Sequence, residues 1–146
     1  MKQFKYFALL FAILFTALAF TACGDDEDEV GQDQRLVGTW AEYKNVDENL
    51  ATGETDTEIV GSPELFPIVF NADGTGYEAN NQPGSQERYP FQWYTKGDKL
   101  TMTGEFVEIE NSTYSVEGNE LRLTYTYTDE EDGNRYRSTT YYKRID

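Results

Sequence analysis

From residue 36 to the end, apolar and polar positions alternate in short runs rich in Tyr, Thr, Phe and Val, broken by Asn, Asp and Gly. No long stretch repeats at helical spacing, so the pattern predicts an all-β chain. Eight strands are expected, over 36–45, 65–70, 75–80, 88–94, 99–103, 106–116, 120–128 and 134–145. Alternation assigns one buried face to Phe66, Ile68, Phe70, Tyr89, Phe91, Trp93, Leu100, Met102, Leu121, Leu123, Tyr125 and Tyr127. The opposite face carries Gln92, Thr101, Thr103, Arg122, Thr124 and Thr126. In the sixth run Val107 and Ile109 have one parity, Tyr114 and Val116 the other. A bulge near Asn111 and Ser112 reconciles them, as would two separate strands.

If the strands run up and down, "NADG" (71–74), "TKGD" (95–98) and "EGN" (117–119) fall at one end, and all are tight-turn sequences. The other end receives the long segment 46–64, "NNQPGSQ" (81–87) and "DEEDG" (129–133). The expected shape is an eight-stranded antiparallel up-and-down barrel, sewn shut at one end and carrying its large loops at the other.

The first 22 residues read differently. Lys2 and Lys5 precede a run, 7–20, that is apolar except for Thr16, which matches the charged and hydrophobic regions of a secretory signal and is short for a membrane-spanning helix. Thr21 and Ala22 then precede Cys23, the chain's single cysteine. This stretch resembles the lipobox of bacterial lipoproteins, whose cysteine is acylated by fatty chains such as palmitate and becomes the new N-terminus. An ordinary secretory signal with an incidental cysteine is the alternative. The resemblance implies a cleaved signal peptide at 1–22, a lipidated cysteine with an acidic flexible linker at 23–34, and a barrel domain at 35–146. Gly24, standing where an aspartate would favour inner-membrane retention, implies sorting to an outer membrane. The acids from Asp25 to Glu29 are similar to export signals that carry lipoproteins to the cell surface. They also read as a self-repelling spacer of at most roughly 36 Å when the stretch 24–34 is extended.

Composition narrows the function classes. Twelve basic against 27 acidic residues give a net charge of -15, so repulsion opposes nucleic acid or an anionic membrane face as a partner. Histidine is absent, which removes the usual neutral-pH proton shuttle and the commonest metal ligand. One cysteine allows no internal disulfide and no cysteine-rich zinc site. "DEEDG" is dense in carboxylates but lacks the alternating ligands of a calcium loop. Glu108 and Glu110 are two apart on a strand and point outward, and no nucleophile, base and acid set or phosphate loop is present. Neither an enzyme nor a cofactor or metal site is expected.

"LVGTW" (36–40) opens the first strand, followed by a long first loop, "FNADGTG" (70–76), "KGDKLTMT" (96–103) and a closing "YYKR" (141–144). Together these resemble the lipocalin-like domains of small bacterial lipoproteins. The resemblance implies that Trp40 plugs the closed end and that Arg144 packs across it. Parity agrees, because Tyr136, Ser138, Thr140, Tyr142 and Arg144 share a face. The first functional expectation is a small apolar or amphipathic ligand entering through the open end, lined by Phe66, Ile68, Tyr77, Tyr89, Phe91, Met102, Tyr125, Tyr127 and Tyr136, with Trp93 emission as a reporter. The alternative is a narrow barrel filled by these rings, acting as a surface interaction module that contacts a protein or glycan. Its contacts would be the acidic loops, with Asp47, Glu48, Glu54, Asp56 and Glu58 beside Asp129, Glu130, Glu131 and Asp132.

Overall fold

In a computed structural model that describes residues 29–146, the chain forms β1 (Val30–Gly31), β2 (Gly38–Asn49), β3 (Thr55–Ile59), β4 (Pro67–Phe70), β5 (Thr75–Asn80), β6 (Glu87–Lys96), β7 (Lys99–Gly104), β8 (Glu108–Glu117), β9 (Glu120–Thr128) and β10 (Arg135–Arg144). Cys23 and the leader lie outside the described residues. A 3-10 turn, Pro63–Leu65, precedes β4. β2 and β4 to β10 run up and down with every neighbour antiparallel. β10 returns to pair with β2 from Arg144↔Trp40 to Tyr136↔Asn49, closing an eight-stranded barrel without a free edge in the ring.

The hairpins at Asn71 to Gly74, Gly97–Asp98 and Gly118–Asn119 gather at one end. Gly97 (φ 58°) and Gly118 (φ 59°) occupy the left-handed region that two-residue hairpin loops require and that side chains resist. The opposite end receives the connections 50–54, 60–66, 81–86, 105–107 and 129–134. The parity break in β8 is a bulge within one strand. Leu100 pairs with Ser112 and Met102 with Ile109, so two residues, 110 and 111, oppose Thr101 alone.

Two segments depart from the expected pattern. The segment 46–64 is not simply a loop: β2 continues to Asn49, and β3 folds back along it from Lys44↔Ile59 to Glu48↔Thr55. All five β3 residues are exposed, so no buried face marked them as a strand. β1 lies within the stretch read as a spacer and pairs Val30 with Lys96 and Gly31 with Thr95. Its attachment is polar. The Asp33 N–H donates to Thr95 Oγ1 (3.2 Å), the Thr95 hydroxyl donates to Gly31 O (3.1 Å), and the Tyr114 hydroxyl donates to Asp33 (2.8 Å). Burial opposes the charge on Asp33, but hydrogen bonds from the Arg35 side chain and N–H and from Tyr114 outweigh it and hold its pKa below the ordinary 3.8. The latch therefore holds at neutral pH and weakens as pH falls below that value.

Candidate functional site

The half of the barrel next to the hairpins is filled. Leu36, Trp40, Ile68, Phe70, Phe91, Trp93, Leu100, Met102, Tyr114, Leu121 and Leu123 form one buried cluster. Trp40 is fully buried and its indole N–H donates to Leu36 O at 2.7 Å. The Arg144 guanidinium lies 4.3 Å from the Trp40 ring centroid. Its Nη1 donates to Val37 O and its Nη2 to Arg35 O, each at 2.7 Å. The last strand thus closes the floor by binding the backbone that leads into β2.

Above this layer the inward face turns polar, as the register shows. Tyr142 of β10 stands opposite the buried Leu121 on one side and Glu42 on the other, so all three face the axis. β2 then bulges at Tyr43, between the pairs Tyr142↔Glu42 and Tyr141↔Lys44. The bulge keeps Asn45 and Asp47 inward, opposite Thr140 and Ser138. β3 continues that face with Glu58 opposite Asn45 and Asp56 opposite Asp47. On β5, Glu78 lies opposite the buried Ile68. Asn45 Oδ1 accepts from Ser138 (3.1 Å) and Thr140 (3.4 Å). Asp47 Oδ1 is the one buried side-chain nitrogen or oxygen without a hydrogen-bond partner among the described residues. Glu42, Asn45, Asp47 and Tyr142 are half-buried and Glu78 is exposed, and beyond β4 the wall beside β2 is β3 with its outer edge free. That combination describes a water-accessible chamber above a dry floor.

Charge inside the chamber is uncompensated. Burial raises the pKa of Glu42, with added repulsion from Glu58 and Glu78, and burial alone raises that of Glu78. Tyr142 is pushed up by burial and then by the same two glutamates. A carboxyl with a raised folded pKa keeps its proton where the unfolded chain has lost it. Stability therefore falls as pH climbs from the ordinary 4.5 through the raised value and stays reduced above it. Glu42→Gln and Glu78→Gln should thus raise the urea midpoint at pH 7 and leave it nearly unchanged at pH 3. Solvent contact screens both groups, which limits each gain to at most about 1 kcal/mol.

The nine residues expected to line a ligand do not form one surface. Ile68, Phe91 and Met102 belong to the filled floor. Tyr77 is outside: it pairs with Val69 and Pro90, while Gly76 and Glu78 face in, and Arg88 lies 5.3 Å from its ring. Its aromatic character suggested an inward position, but the space beside Phe91 admits only the glycine at 76. Phe66 sits on the mouth side of β4 and is 49% exposed. Tyr89 faces in opposite Glu78, its ring 5.3 Å from Phe106 and its hydroxyl donating to Glu87 (2.9 Å). Tyr125, Tyr127 and Tyr136 do come together. Their rings stand 6.1 and 5.5 Å apart in a row, with Tyr125 41% and Tyr127 37% exposed.

Trp93 is a poor reporter for this chamber, because its indole N–H is held by Asn71 O (3.2 Å) and Thr75 O (2.9 Å) at the closed end. The sequence pattern gave no sign of Glu42, Asn45 and Glu78 and put Asp47 in a mouth loop instead of on β2, since a carboxylate on a strand reads as solvent-facing by default. The one available signal was the face shared by Arg144, Tyr142, Thr140, Ser138 and Tyr136. At the mouth, Asp129 Oδ1 accepts the Glu131 N–H (2.7 Å) and Asp132 accepts from the Asn134 N–H and the Tyr136 hydroxyl (2.7 Å each), so "DEEDG" uses these carboxylates to shape its own turn.

A cleft of about 1080 Å³ lies at the closed end, lined by residues that include Arg35, Lys96, Asp98, Lys99, Tyr114 and Glu117. Its charges are largely spent on one another, Arg35 on Asp33 (2.7 Å) and Lys99 beside Asp98 (3.9 Å). A smaller one, about 340 Å³, is bordered by Thr75, Gly76, Pro90, Phe91, Gln92 and Thr103. The unpartnered polar groups converge in the barrel, which makes the chamber the stronger site. No protein-family model, curated protein or solved structure matches the chain.

Proposed function

We propose that the chain is a membrane-anchored surface lipoprotein whose lipocalin-like barrel takes a small amphipathic molecule through its open end. The observation that carries the binding role is the inward face of the barrel's open half: half-buried Glu42, Asp47 and Tyr142, with Asp47 Oδ1 buried and unpartnered, on the side of the row of Tyr125, Tyr127 and Tyr136. The lipobox-like sequence before Cys23 supports the anchor. β1 enters at the hairpin end, so a tether leaving it would set the mouth away from the lipid. Anchoring predicts that Cys23→Ser shifts the protein from the membrane fraction to the soluble one. Retention on membranes after a high-salt wash would contradict it.

Binding is tested by calorimetric titration of a panel of small apolar, anionic and cationic amphiphiles. Saturable binding at micromolar affinity, near -8 kcal/mol, is expected, with a loss of about tenfold in Tyr125→Ala and Tyr127→Ala. Affinity unchanged in both variants would place the site outside the mouth. A second reading has one observation in its favour: β3 pairs only with β2, leaving an exposed outer edge beside Glu54, Asp56 and Glu58. If no member of the panel binds, the surface interaction module becomes the better account.

A further inference from the structure

We propose that the chamber selects a cation: an organic amine or quaternary ammonium on a small apolar body, its charge held between Glu42 and Glu78 and its body against the tyrosine row. This rests on the ligand-binding reading and narrows it. The register puts Glu42, Asp47, Asp56, Glu58 and Glu78 on the inward face, where Glu42 and Asp47 are half-buried and Asp56, Glu58 and Glu78 stay open to solvent. Apart from Arg144, the described cations of the ring face the other way. Lys44 lies over the outward Tyr141 ring (3.8 Å), Arg88 beside outward Tyr77, and Arg137 on Glu48 (3.1 Å). Arg122 pairs with Glu120 (2.6 Å), and Arg144 is spent below, on Trp40 and two carbonyls. None of the ion pairs among the described residues includes Glu42, Asp47, Glu58 or Glu78.

Acids alone would not make a site. One further feature points to a missing partner: the buried Asp47 Oδ1 has none. A carboxylate oxygen kept from both water and donors is costly unless something else supplies a donor or a positive charge. An ammonium group does both, and the faces of Tyr125, Tyr127 and Tyr136 attract cations through their ring quadrupoles. A purely apolar ligand would instead leave the carboxylates desolvated and unpaired.

The test uses the full chain in lipid nanodiscs, with empty nanodiscs as the blank, titrated with probes of one size: 2-phenylethylamine, its trimethylammonium analogue, 2-phenylethanol and 3-phenylpropionate. Both cations should bind at least about tenfold more tightly than the alcohol, and the anion most weakly. The Glu42→Gln/Glu78→Gln double variant should lose that preference, with the cations binding it no more tightly than the alcohol does. Glu78→Gln alone, with circular dichroism as the check on folding, gives the same reading if the double variant proves unstable. Equal binding of alcohol and amine overturns cation selection but leaves the chamber standing. A preference that survives in folded double variant moves the cation site to the loops and overturns the assignment. Failure of all four probes to bind removes the chamber reading itself, and this inference with it.

Discussion

Replacing Trp40 with alanine is expected to cost about 3–5 kcal/mol, the range for deleting a large aromatic from a site that cannot collapse. Three losses coincide. The ring is fully buried against Leu36 and the core, its N–H leaves Leu36 O without a donor, and Arg144 loses the face it covers at 4.3 Å. The last contributes roughly 0.5–2 kcal/mol by itself. Collapse into the space is resisted because both guanidinium nitrogens remain tied to Val37 and Arg35 carbonyls. Urea melts should show a lower midpoint with an unchanged slope, since the surface exposed on unfolding hardly changes. A loss below about 1 kcal/mol would mean that the floor does not depend on this ring.

Gly76→Val should be nearly as damaging, on the order of 3 kcal/mol, but by crowding instead of emptying. Gly76, Phe91 and Gly104 lie directly across three neighbouring strands. A Cβ at 76 would strike both the Phe91 ring and the Val69 carbonyl, and one at 104 would strike the Pro90 carbonyl. The two glycines make room for Phe91, whose ring packs edge-on against Phe70 at 5.6 Å. The Val69 carbonyl belongs to backbone paired in β4 and β5, so it cannot retreat without disturbing that ladder. Adding Phe91→Ala relieves the ring clash but not the carbonyl one. The double variant should therefore be less destabilised than the sum of the two single variants. Strict additivity would show that the ring and the glycine do not meet.

Alternation was easiest to read in the rest of the floor. Leu121, Leu123, Leu100, Met102 and Trp93 are apolar at every second position, and burying that face leaves one register and no choice. The break in parity between Ile109 and Tyr114 was enough to call for a bulge, because each half of the strand has its own apolar face. The turn sequences with glycine at 97 and 118 set the closed end for the same local reason. Where the inward residues are polar, this reasoning loses its signal. Glu42, Asn45 and Asp47 offer no apolar period, so the bulge at Tyr43 that aligns them was invisible. β3, with no buried residue, read as loop.

The sequence by itself determined the eight strands of the ring, their order in the meander and the end at which the tight turns gather, because alternation and turn chemistry act over two to four residues. Only the tertiary structure decided what the barrel encloses. Which side of β5 faces in, and whether Tyr77 or Glu78 meets the chamber, depends on the ring of Phe91 leaving space for nothing but a glycine. The pairing of β10 with β2, distant in sequence, brings Tyr142 to Glu42 and Ser138 to Asp47, and so sets acids that are solvent-facing by every local rule on one inward face. Their cost is met by contacts elsewhere in the ring, which is why no short stretch of sequence could announce them.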